Sequence, residues 1–118
     1  MAVDEGFVEH CRDLLASLGQ VRARRMFGGC GFHVGDRFVA LIVAERLYLK
    51  ADASTRDRFE AAGCEPFVYA TRARRVATNF FAAPADAMES PGEMEPWARL
   101  ALEAATRAKE GKRPAGRR

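Results

Sequence analysis

An α+β fold, a two-layer antiparallel sheet with helices in the order α-β-β-β-α-β-β-α, is predicted by three observations. Apolar residues recur at helical spacing near both ends of the chain. The stretch from Arg24 to Asp52 breaks into short strand-like runs punctuated by glycine. Two more strand-like runs follow a short helical segment.

The first helix is expected over Asp4–Leu18, where Phe7, Cys11, Leu14, Leu15 and Leu18 form one stripe. Asp4 and Glu5 suit the positive end of its dipole, and Gly19 offers a left-handed stop. Gly35-Asp36, between Phe32-His33-Val34 and Arg37-Phe38-Val39, is a two-residue hairpin signal. Simple alternation from that turn sets Phe32 against Val39, Cys30 against Leu41, Gly31 against Ala40 and Gly29 against Ile42. The middle strand, Phe38 to Val43, is apolar on both faces, as a strand covered on both sides or by a partner would be. A third strand, Leu47–Ala51, follows a turn near Ala44-Glu45-Arg46 that has neither Gly nor Asn to fix its register.

Asp52 or Ser54 then caps a helix over Ser54–Ala62, closed by Gly63. Pro66–Tyr69 and Arg75–Ala82 read as strands four and five, with proline at a strand start and Ala83-Pro84 as the break. Ser90-Pro91-Gly92-Glu93 opens the last helix with a capping serine, proline in the first turn and glutamate at the reciprocal position. Trp97, Leu100, Ala101, Ala104 and Ala108 carry it to Gly111, with a bend expected at Pro96.

The 118 residues make one domain, and 48% hydrophobic content with eight phenylalanines is enough for a core without disulfides. No apolar run is long enough to span a membrane and no signal peptide opens the chain, so the cytoplasm is expected. The net charge of +3 is misleading. Lys109, Lys112, Arg113, Arg117 and Arg118 against Glu110 place +4 in residues 109–118 and leave −1 for the remainder. The expected division is therefore a folded domain over 1–108 and a basic, disordered tail over 109–118, capable of weak non-specific nucleic-acid binding.

The motifs RRMFGGCGF (Arg24–Phe32), RLYLKAD (Arg46–Asp52) and EPFVY (Glu65–Tyr69), with Phe80-Phe81 before Pro84 and with Trp97, resemble the TfoX N-terminal domain family. That is the front module of the Sxy/TfoX competence regulators, and the resemblance spans about Phe7 to Leu102. It implies a two-layer α+β fold similar to secretion chaperones. It also implies a regulator of DNA uptake that works with the transcriptional machinery, at promoters shared with the cyclic-AMP receptor protein, without a demonstrated catalytic residue. The known regulators carry a second, helical domain, whereas here a basic tail soon follows Trp97, so a stand-alone module is expected.

Several residues stand out as candidates for an interaction surface. Arg24 and Arg25, with Arg22, Arg74 and Arg75, are a potential grip for phosphate or an acidic partner. Neighbouring strand residues point to opposite faces, however, and such arginines more often solvate an edge. Phe27, Gly28, Gly29 and Gly31 do not make a phosphate cradle, because a strand rather than a helix follows them. They leave a shallow trough to be filled by a helix of the chain, a second subunit or a ligand, in that order. Cys30 and His33 fall on opposite faces of a strand, Cys11 and Cys64 lack ligand spacing, and neither a metal nor a cofactor is expected. Lys50-Ala51-Asp52 reads as structural, with Asp52 engaged in capping.

The sequence thus predicts a non-enzymatic regulatory module, homodimeric, working through protein contacts. Two alternatives stand beside it. One is a nucleic-acid-associated protein using its arginines and tail. The other is a small-molecule binder with a pocket at Gly28–Gly31.

Overall fold

The computed structural model describes residues 4–26, 28–70 and 72–111. Helix α1 (Glu5–Leu14) starts at Asp4, whose carboxylate accepts the Gly6 amide at 3.2 Å. It tightens at Leu15 into a 3₁₀ turn over Ala16–Leu18 and stops at Gly19, with φ of 113°. The single helix expected to Leu18 is therefore two pieces, the second wound more tightly.

Six strands follow: β1 (Val21–Met26), β2 (Gly29–Val34), β3 (Arg37–Val43), β4 (Arg46–Lys50), β5 (Pro66–Ala70) and β6 (Arg75–Ala82). Between β4 and β5 lies α2 (Arg56–Ala61), and α3 (Pro91–Gly111) ends the described chain. The order of helix, strand group, helix, strand pair and helix is the expected one, and the first group gains β1. All neighbours are antiparallel, in the spatial order β1-β2-β3-β4-β6-β5.

The β2–β3 hairpin turns at Gly35, with φ of 62°, and pairs Val34 with Arg37 and His33 with Phe38 as expected. Beyond His33 the expected register fails. A bulge at Val39 sets Phe32 opposite Ala40, Gly31 opposite Leu41 and Cys30 opposite Ile42. The gain is packing: the extra residue lets Val39, Ala40 and Ile42 all be buried. The β3–β4 turn consists of Ala44 and Glu45, both left-handed at φ of 51° and 61°, which fixes Val43 opposite Arg46.

One side of the sheet forms the core. Phe32, Ile42, Leu47, Leu49 and Phe81 meet Val8, Cys11, Leu14, Met94 and Ala98 from the helices, with α3 lying across β3 and β4. Phe59 of α2 stacks on Phe81 at 5.5 Å and tilts against Trp97 at 5.2 Å, so Trp97 fastens α3 to the core. Ser90 accepts the Glu93 amide at 3.2 Å, and α3 runs unbroken through Pro96 and onward to Gly111. The helix thus takes in the start of the expected tail, and residues 112–118 lie outside the described residues.

Candidate interaction surface

Alternation along each strand sends a second set of side chains to the opposite side of the sheet. Phe38, Leu41, Tyr48, Phe67 and Phe80 all lie there, outside the core cluster and only partly buried. Among the described residues no helix covers them. The twice-apolar character of β3 is thus explained on one side by the helices, and on the other it leaves an apolar sheet face in contact with solvent.

The rings on this face are organised. His33 stacks on Phe38 across the hairpin at 4.9 Å with planes 16° apart, and Phe38 tilts against Phe80 at 5.3 Å. Lys50 sits between these rings, its Nζ 5.1 Å from the Phe80 centroid and 5.9 Å from that of Phe38. Tyr48 tilts against Phe67 at 5.1 Å, and the Arg46 guanidinium lies over Tyr48 at 5.8 Å. His33, Phe38, Lys50 and Phe80 therefore form a row across β2, β3, β4 and β6. The pKa of His33 is lowered by burial and then by Arg22 and Arg24, which keeps the imidazole neutral at pH 7.

Charge in the sheet has one sign. None of the sixteen Asp and Glu residues falls in a strand, whereas the strands hold Arg22, Arg24, Arg25, Arg37, Arg46, Lys50 and Arg75. The acids occupy helices and connections.

The residues singled out from sequence do not make one patch. Arg24 faces the open side and makes no ion pair among the described residues, whereas Arg25 turns to the helix side and pairs with Glu5. Arg74 and Arg75 lie at the start of β6. Four strand spacings of about 4.8 Å place them roughly 19 Å from β1. The cause is the insertion of β6 between β4 and β5, a long-range pairing that local sequence does not announce. Gly28 supplies the positive φ, 76°, of the β1–β2 turn, and Phe27 lies outside the described residues.

The glycine trough is filled by the chain itself, though not by a helix. A Cβ on Gly29 would stand 2.0 Å from the Ile42 carbonyl oxygen, and one on Gly31 would meet Phe38 at 3.0 Å and Met26 at 3.2 Å. These glycines permit close approach of strand and ring.

Cysteine chemistry has little support. Cys11 is pushed up to about 12, chiefly by burial and then by Cys30, and burial also raises Cys30 and Cys64. All three thiols stay protonated near neutrality. Cys30 faces the core and His33 the open side, as their spacing implied. Among the described residues no group of three or more His, Cys, Asp or Glu is placed to hold a metal ion, and no helix is long and apolar enough to cross a membrane. Neither Asp52 nor Ser54 caps α2, which starts at Arg56 after Thr55 and has no side-chain cap hydrogen bond. Asp52 instead braces the preceding turn, accepting from the Ser54 amide at 3.0 Å and the Thr55 hydroxyl at 3.3 Å.

Comparison with known families agrees with this architecture. The profile of the TfoX N-terminal domain matches residues 13–105, which take in the whole sheet, α2 and most of α3 but only the end of α1. The chain belongs to the TfoX N-terminal domain family. A search of curated proteins returned no match.

Proposed function

We propose that this domain is a non-enzymatic regulatory module that docks a protein partner on the uncovered face of its sheet. The observation that carries the proposal is the row of His33, Phe38, Lys50 and Phe80 beside Tyr48 and Phe67. It is an apolar and aromatic surface on strands whose own charged residues are all cations, with Arg46 paired to Glu65 from the adjoining connection. Burying such a surface is worth about 25 cal/mol per Å² of apolar area, and aromatic and arginine side chains are the usual energetic anchors of interfaces.

The charge pattern selects an acidic amphipathic segment as the complement. A two-fold dimer across the same face would set one cation-bearing patch against another, since such an interface pairs a patch with itself. Base stacking fits less well, because His33 and Phe38 are stacked on each other, with nearly parallel planes, and so turn ring faces to one another. Membership of the TfoX N-terminal domain family supports a competence-regulator-like role, in which the partner belongs to the transcriptional apparatus.

Co-purification from the native cell tests this reading. A Leu41→Lys variant should lose the partner retained by wild type, whereas Glu103→Lys on the exposed side of α3 should keep it, with thermal stability within a few degrees for both. Equal recovery by the two variants would reject the open face as the docking surface.

A further inference from the structure

A cleft of about 570 Å³ runs along the outer edge of β1, lined by Arg12, Gln20, Val21, Arg22, Ala23, Arg24 and His33. We propose that it binds the phosphate group of a small phosphorylated molecule. Arg12 of α1, Arg22, Arg24 and His33 all line it, and no carboxylate is among the lining residues.

The donors are only partly committed. Among the described residues the buried Nε of Arg12 has no hydrogen-bond partner, and its Nη1 forms a long ion pair with Glu9 at 3.8 Å. Arg22 commits Nη2 to the Gly35 carbonyl at 2.7 Å, which holds the side chain in place and leaves the rest of its fork. Arg24 makes no ion pair among the described residues. An edge strand also leaves alternate backbone amides unpaired. Guanidinium forks match phosphate oxygens in geometry and charge, and a dianion there would relieve the mutual repulsion of the arginines.

The walls favour a compact anion over a long one. On one side α1 carries Glu5, Glu9 and Asp13, so a polyanion extending past the cleft meets carboxylates. Of the other strand cations, Arg25 is paired with Glu5, Arg37 lies two strands away on β3, and Arg46, Lys50 and Arg75 lie on β4 and β6, several strands from the β1 edge. The site goes beyond the docking reading: the two share His33, but Phe38, Leu41, Phe67 and Phe80 take no part in the cleft.

The test is NMR titration of the full chain with inorganic pyrophosphate at constant ionic strength. Saturable shifts confined to the Val21–Arg24 amides and the His33 ring are expected. The His33 pKa should rise when a dianion sits beside it. Arg24→Gln, at an exposed position, should leave the fold intact and weaken binding by about tenfold or more, and Leu41→Lys should leave binding unchanged. The absence of saturable shifts up to about 10 mM pyrophosphate, a range that reaches affinities weaker than −4 kcal/mol, would overturn the site. So would equal affinity in Arg24→Gln. A single-stranded oligonucleotide that displaces pyrophosphate with affinity growing with its length would overturn the small-molecule assignment.

Discussion

Arg107 donates to both carboxylate oxygens of Asp52, from Nε at 2.6 Å and Nη2 at 3.2 Å, across 55 residues of sequence. The pair joins the far end of α3 to the turn that follows β4. It holds the Asp52 carboxyl below its ordinary value of 3.8, mainly through the Arg107 hydrogen bond, against an opposing effect of burial. A lowered folded-state pKa means that this stabilisation is complete above the unfolded value and is lost as pH falls through the folded one. Both groups are partly exposed and screened by solvent, so Arg107→Ala should cost at most about 1 kcal/mol at pH 7. Urea denaturation should show that the gap between variant and wild type closes as the medium is acidified below the carboxylate range.

The β3–β4 turn can be improved. Ala44 and Glu45 both hold positive φ, a conformation that side chains with a Cβ enter only at a cost. Asn-Gly is the preferred pair for such a turn. The double replacement Ala44→Asn with Glu45→Gly should add about 1 kcal/mol and raise the melting temperature by about 4 °C in a thermal scan.

Two glycines two residues apart should respond differently to alanine. At Gly29 the new methyl would collide with the Ile42 backbone oxygen, which cannot move without parting β2 from β3. A loss of about 3 kcal/mol or more is expected. At Gly31 the obstacle is the edge of the Phe38 ring and the end of Met26, which can shift, so the loss should be about 1 kcal/mol. Chemical denaturation of the two variants checks the ranking.

The buried thiols should be unreactive. Cys11 and Cys30 are almost fully shielded and are held protonated by burial. Iodoacetamide at pH 7.5 should modify neither in the native protein within hours and both after unfolding. Rapid native labelling of Cys30 would reopen thiol chemistry.

Local signals were readable where one residue type has one conformational use. Gly35 set the hairpin, Ser90 with Glu93 set the start of α3, and the limits of β6 followed from apolar runs and Pro84. The bulge at Val39 was hidden because Val39 and Ala40 are both apolar, so alternation alone had no reason to skip a residue. Strand β1 was hidden by its three arginines, although Val21 and Ala23 already alternate toward the core. The candidate surface was half legible. The double apolarity of β3 implied a second covered face, but the row through His33, Lys50 and Phe80 needs the β4–β6 pairing, which no local pattern encodes. The absence of acids from every strand segment was present in the sequence and was the signal that could have found it.

The central claim is that the domain works through its uncovered sheet face. It is tested most directly by placing a photo-crosslinking benzoylphenylalanine at Tyr48, and separately at Glu60 on α2, and irradiating the native cell. A discrete protein adduct from position 48 and none from position 60 is the predicted result. Adducts from position 60 alone would contradict the account.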